Sequence, residues 1–412
     1  MGRARQIASA ENMDRILLDA SAASTDEGEH LLLDASAAST DVGFFINTEV
    51  GTTETPPEGF VNTSSIAADA IDNTKISDDA IKLENITGSV ATLFNRNTVI
   101  NGAFNVNQRP DQSGVGASSV YLCDRFEIDV DTAARINSTT PAVTDLPDFT
   151  KCLKIDVTTA DTSVGSGDLF MIRTTFEGQD LQRYKKGTSE AKGWVLSYYM
   201  KVDNGPFTGT AALEDSQNDR HINANFTATN TWQRFSHFFP ADSSGTLDND
   251  ATDTLRLVFY FLAGSTYSGG SIQSAWASRS NGNMAPNTDN FMASTDTNIY
   301  ITGIQLEAGD TLTEFEHESP AITLTKCQRY YQTGYHKDSY KYGFHSGSGY
   351  TQGWSVLDMK SDMKSAPSAT ISGNSTLGTL SGTTYATIQT WTVSSSNTFV
   401  NQNFTWILDA DF

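Results

Sequence analysis

The sequence predicts an all-β protein built as an elongated trimeric fibre, in which a thin repetitive stalk carries a β-sandwich and then a small terminal β-domain. Three observations predict it. An apolar β-branched residue recurs every fifth position from Val61 to Ile86; a long middle segment alternates apolar runs with Gly, Asn and Asp turns; and the composition is poor in charge and rich in Ser, Thr, Asn and Gly.

At 412 residues the chain is long enough for several domains, and with 38% apolar against 18% charged residues it has material for a real core. The formal charge of −22, from 49 acidic and 27 basic residues, opposes both nucleic-acid phosphates and bare anionic lipid. Solubility is the plain reading of such a surface, which can still hold a neutral glycan or a divalent cation. Cys123, Cys152 and Cys327 stand far apart without a Cys-x-x-Cys pair or a neighbouring His, so they read as small buried hydrophobes of a chain folded in a reducing compartment. No apolar run follows the basic residues of MGRARQIASAENMD, so neither a signal peptide nor membrane insertion is expected.

Residues 1–52 contain an exact repeat, Leu17 to Asp26 returning as Leu32 to Asp41 with a period of fifteen residues. Each copy is too small to bury its own leucines, which reads as an attachment segment that packs on another protein. A disordered tail fits the same small, acidic composition.

Residues 53–95 hold the ladder Val61, Ile66, Ile71, Ile76, Ile81 and Ile86. On an α-helix a five-residue step turns about 140° and scatters these side chains; on a flat strand it sends alternate ones to opposite faces. A thin, repeatedly turned strand brings them to one axis, and three parallel chains then cover what one cannot, each burial contributing roughly 1.5–3 kcal/mol. A homotrimer follows; a loosely amphipathic helix over 65–95 is the competing reading. Ala70-Ile71-Asp72-Asn73-Thr74-Lys75-Ile76 resembles the shaft repeats of phage tail fibres.

From 96 to 317 the sequence predicts strands at Phe126–Val130, Leu153–Val157, Asp168–Thr175, Trp194–Val202, Thr208–Leu213, Trp232–Phe239, Leu255–Phe261 and Asn298–Leu306. Eight such strands fill a jelly roll. Asn101-Gly102-Ala103-Phe104 resembles the opening of carbohydrate-binding-module jelly rolls. Trp194–Val202, Thr231 to Arg234 with Phe238 to Ala241, and Tyr300 to Gly309 are similar to strands of the same fold. With Phe315-Glu316-His317 and Cys327 to Tyr331, that closing stretch also resembles phage tail-fibre and virion structural proteins. The matching strands imply that Trp194 and Trp232 are core residues.

Residues 318–412 open with Ser319-Pro320, an N-cap with Pro at the first helical position, predicting a short helix over 321–329. A terminal β-domain then runs through Tyr330–Tyr335, Gly353–Leu357, Ser368–Ser372, Ala386–Val393 and Phe399–Leu408. Met363 to Pro367 and Asp409 to Phe412 resemble the same virion family.

Catalytic motifs are missing: the six histidines lack zinc spacing, and no nucleophile elbow, Walker loop or dinucleotide turn occurs, so no enzyme, cofactor or metal is expected. Carbohydrate modules of this type often hold calcium, but the positions that resemblance calls on are Asn105, Thr302 and Gly303, and Asp248, Asp250 and Asp253 read as a solvated turn. Glycan binding needs exposed aromatic planes beside amides and carboxylates. Tyr267 and Trp276 in Gly/Ser-rich connections qualify, as do Tyr335, Tyr340, Tyr342, Tyr350 and Trp354 in the terminal domain; packing within or between subunits is the alternative use of these rings.

The resemblance implies a phage virion protein, located in the tail, that attaches to other virion tail or capsid proteins through residues 1–52 and contacts host-surface polysaccharide with its distal β-domains. Two other readings stay open: an architectural head fibre, decoration or tail adaptor protein without ligand, and a polysaccharide-degrading tailspike whose paired carboxylates sequence alone does not reveal.

Overall fold

The computed structural model describes residues 95–343, 351–358, 360–373, 385–393 and 398–411. The attachment segment, the ladder and Tyr350 lie outside these residues.

The larger module holds, in chain order, β1 (Gln112–Val115), β2 (Ser118–Cys123), β3 (Phe126–Asp131), β4 (Arg135–Thr139), β5 (Leu153–Thr159), β6 (Leu169–Glu177), β7 (Trp194–Val202), β8 (Phe207–Asp215), β9 (Arg220–Ala228), β10 (Gln233–Phe239), β11 (Asp253–Ala263), β12 (Ala277–Ser278) and β13 (Asn298–Ala308). They form a six-stranded sheet of order β1-β4-β5-β13-β7-β10 and a seven-stranded sheet of order β12-β9-β8-β11-β6-β3-β2. All pairings are antiparallel. This is a mostly-β sandwich of the jelly-roll kind, as the sequence predicts.

The eight predicted strands are present, Trp194–Val202 to the residue, but β1, β2, β4, β9 and β12 join them. In β9 the side chains facing away from the core are His221, Asn223 and Asn225. The first two are buried under a covering segment, so a polar row alternates with Ile222, Ala224, Phe226 and Ala228, which face the core.

The core lies between the sheets, because alternate residues of each strand point inward. β7 contributes Trp194, Leu196, Tyr198, Met200 and Val202; β11 contributes Leu255, Leu257, Phe259 and Phe261. Trp194 is fully buried as expected and stacks on Tyr184, ring centroids 3.5 Å apart. The opening and closing sequences meet here: Ile304 N donates to Gly102 O at 3.0 Å, and a Cβ on Gly102 would come 2.0 Å from the Ile304 oxygen. Only glycine permits that approach, and the buried Phe104 follows directly, 4.7 Å from Phe126.

The two outer faces differ. Across the seven-stranded sheet runs a covering segment of residues 264–290, including the one-turn helix α1 (Ser265–Ser268), whose Met284 and Ala285 pack on Met171, Val258 and Tyr260. Asn223 fastens it, donating to Asn283 O and Met284 O and accepting from Gln273 N. The outer face of the six-stranded sheet is covered at its centre by Phe149, which contacts Tyr199, Phe315 and His317 with centroids 5.1–5.4 Å apart. Beside these rings Gly303 has φ +63, in the bulge of β13 against β7, and Phe149 and Tyr199 approach to 2.6 and 2.9 Å of where a Cβ would stand. Residues 313–316 cover that face further along, where Gln305 and Glu307 are buried, and Tyr300, Lys154 and Lys201 remain half-buried.

The helix α2 (Pro320–Gln328) leads to β14 (Tyr331–Gly343), β15 (Thr351–Asp358), β16 (Ser368–Gly373), β17 (Tyr385–Val393) and β18 (Thr398–Asp409). They make a three-stranded sheet β14-β18-β16 and a β15-β17 pair, on the five predicted segments. Ser319 caps α2 with its backbone rather than its hydroxyl: its carbonyl accepts from Ile322 N and Thr323 N, and its side chain makes no cap bond. The three cysteines are free and buried.

Candidate functional site

The partly exposed part of the outer face of the six-stranded sheet presents one cross-strand row. Tyr300 on β13 is in register with Lys154 on β5 and with Lys201 on β7, and Trp232 stands at the end of the row, one residue before β10. Neighbours on one face of a sheet lie within side-chain reach. Trp232 and Tyr300 meet edge to face, centroids 6.4 Å apart at 68°. Lys201 Nζ lies 5.0 Å from the Trp232 ring centroid and 4.9 Å from that of Tyr300, and Lys154 Nζ lies 5.8 Å from Tyr300.

Carboxylates fix the rings. Trp232 Nε1 donates to Asp145 Oδ1 at 2.9 Å, and Lys201 Nζ pairs with Asp145 Oδ2 at 2.5 Å. These bonds, that from Lys201 first, hold the Asp145 carboxyl below its ordinary range, so it is ionised at neutral pH. The Tyr300 hydroxyl donates to Asp203 Oδ2 at 3.1 Å, and Asn298 Nδ2 donates to the same oxygen at 3.0 Å. Burial first, and then Asp203, push the Tyr300 phenol up to about 12, so it stays a neutral donor. Lys154 and Asp156 stand 3.6 Å apart beside them. Two aromatic rings rimmed by amine, amide and carboxylate groups are what a sugar needs: an apolar surface for its C–H face and both donors and acceptors for its hydroxyls.

Trp232 corrects an expectation. It is not core: it is partly exposed on the outer face, because Gln233, Phe235, His237 and Phe239 take the inward positions of β10. The opposite parity holds Trp232, Arg234, Ser236 and Phe238, and Phe238 is 55% exposed. The alternation Trp-Gln-Arg-Phe-Ser-His-Phe-Phe carried that signal, since Arg234 and Ser236 mark the side on which Trp232 lies.

The residues named from the sequence are spread out. Tyr267 is half-buried in the covering segment, on the opposite side of the sandwich from Trp232, and packs on the Met171 and Met284 cluster. Trp276 is also half-buried; its Nε1 donates to Pro240 O at 3.0 Å and its ring lies 6.1 Å from that of Trp194. Tyr335 is 62% exposed on β14. Tyr340 and Tyr342 lie on the same strand, and Trp354 lies on β15 opposite Gln389 of β17. Of the acidic turn, Asp250 accepts from Thr252 and Asp253 pairs with Arg256. Among the described residues no three His, Cys, Asp or Glu side chains gather as a metal site.

No family profile and no curated protein matches this sequence. Solved structures similar to it include a CBM4 structure, at 14% identity over 51% of this chain and 99% of that one with TM-score 0.27. A second is the family 11 carbohydrate-binding module of a cellulosomal cellulase from Clostridium thermocellum, at 12% identity over 50% and 100% with TM-score 0.24. A third is a CBM61 in complex with β-1,4-galactotriose, at 8% identity over 52% and 99% with TM-score 0.27.

Proposed function

We propose that this chain is a non-enzymatic fibre subunit of a phage virion, placed in the tail, that binds host-surface glycan on the outer face of the six-stranded sheet of its jelly roll. The observation that carries the binding reading is the Trp232–Tyr300 pair, held edge to face by Asp145 and Asp203 on the part of the outer face that Phe149 and residues 313–316 leave partly exposed. Tyr335, on the terminal module, offers a second exposed ring.

The fibre part of the reading is supported by the sequence. The ladder Val61, Ile66, Ile71, Ile76, Ile81 and Ile86 needs partner chains to bury it, residues 1–52 supply an attachment segment, and the shaft-like Ala70 to Ile76 resembles tail-fibre repeats. Three sites on one trimer raise a weak single-site affinity by avidity.

The test is retention of the full chain on immobilised polysaccharides, neutral and acidic, from bacterial surfaces, together with an assay for new reducing ends. Retention without new reducing ends supports the proposal. Retention on none of them favours an architectural role in the virion, and new reducing ends a tailspike.

A further inference from the structure

The hairpin joining β2 to β3 turns at Asp124 and Arg125, and Arg125 holds a left-handed backbone with φ 74°. Residues other than glycine are strained there. Its guanidinium is buried and contacts the far end of the chain. Nη1 donates to Asp411 Oδ1 at 2.9 Å, Nη2 donates to Thr175 O at 2.5 Å, and Cζ lies 3.4 Å from the Tyr330 ring centroid. Arg109, also buried, pairs with Asp411 and with Asp409 Oδ2 at 3.2 Å, and lies between Tyr331 and Tyr121 at 3.8 and 4.4 Å.

Gln108 bridges the two sides, donating to Asp124 Oδ1 at 2.8 Å and to Tyr331 O at 3.0 Å from the same amide. A second node answers the first with opposite polarity. Glu177, buried at the end of β6, accepts from Arg329 Nε and Nη2 at 2.7 and 2.8 Å and from the Tyr330 hydroxyl at 2.6 Å.

We propose that Asp409 and Asp411 are an intramolecular latch: the β2–β3 hairpin of the sandwich keeps its native turn only while the end of β18 is docked on Arg109 and Arg125. Each side buries charges that the other neutralises. With the module docked but Asp411 removed, the two buried guanidinium groups would be short of a carboxylate, a strongly destabilising state, and with the module undocked the strained turn would lose the contacts that fix it. The latch therefore makes the terminal module part of the sandwich's own stability, so that local opening of one opens the other.

Hydrogen exchange on the full chain tests this, read at two peptides, Ser118–Asp131 and the remote Arg220–Ala228. In Asp411→Ala the first should exchange about a hundredfold faster while the second keeps its wild-type rate. Combining Arg125→Met with Asp411→Leu, which replaces the pair by apolar groups, should restore protection of the first. If Asp411→Ala does not fold, Asp409→Asn gives a graded version, since that carboxylate is 34% exposed, and should speed the same peptide by a smaller factor. Unchanged exchange of Ser118–Asp131 in these variants, or equal acceleration of both peptides, would overturn the latch.

Discussion

Trp232 donates its indole N–H to Asp145 at 2.9 Å while Lys201 grips the other oxygen of that carboxylate, so one exposed side chain sets the tilt of the ring that faces outward. Asp145 carries no core and its side chain is 56% exposed. Asp145→Ala should therefore leave the thermal midpoint unchanged and weaken glycan binding about tenfold, by freeing the ring rather than removing it. Asp145→Asn, which keeps an acceptor for the indole, should fall between the two. Isothermal titration measures both.

Trp194 has the opposite character. It is fully buried and stacks on Tyr184 at 10°. Trp194→Ala should cost about 3–5 kcal/mol, read by urea unfolding.

Stability should fall in mild acid. His237 faces the core and bonds the Tyr198 hydroxyl at 3.0 Å, and burial lowers its pKa from 6.5 to about 4. The unfolded chain thus binds a proton at His237 before the folded one does. The associated stability, about 3 kcal/mol at most, is present above pH 6.5 and lost as the pH falls towards 4. Glu177, held below the ordinary range of a glutamate by its bonds to Arg329 and Tyr330 in spite of burial, acts in the same direction only at lower pH. Unfolding midpoints at pH 7 and pH 5 should differ in the wild type, and differ less in His237→Gln.

The ladder makes a stoichiometric prediction. Sedimentation should give a trimer, and Ile71→Asn with Ile76→Asn should shift it to monomer while Trp194 and its neighbours remain folded by circular dichroism, because the substituted residues belong to the proposed stalk and not to the core around Trp194.

How much was legible follows from which faces are apolar on one side only. β7 could be read to the residue because Trp194, Leu196, Tyr198, Met200 and Val202 alternate with smaller or polar groups. β9 carries the same alternation in Ile222, Ala224, Phe226 and Ala228 and was legible, though not among the expected strands; what the sequence does not show is that Asn223 on its polar side is buried under the covering segment. Trp232 was misplaced by a similarity of strands that did not weigh the parity of Arg234 and Ser236. The pairing of Arg125 with Asp411 spans 286 residues and leaves no local signal. Of the aromatic residues chosen from loop context, Trp276 turned out to have its indole N–H bonded to Pro240 and to pack on the core edge, since Gly/Ser-rich surroundings report on the backbone and not on where a ring lies.

The most direct test of the binding face is titration of the full chain, Trp232→Ala and Tyr300→Ala with a polysaccharide that retains the wild type. Each variant should keep its thermal midpoint and lose affinity by about ten- to a hundredfold. Wild-type affinity in both variants would contradict the assignment of the glycan site to this face.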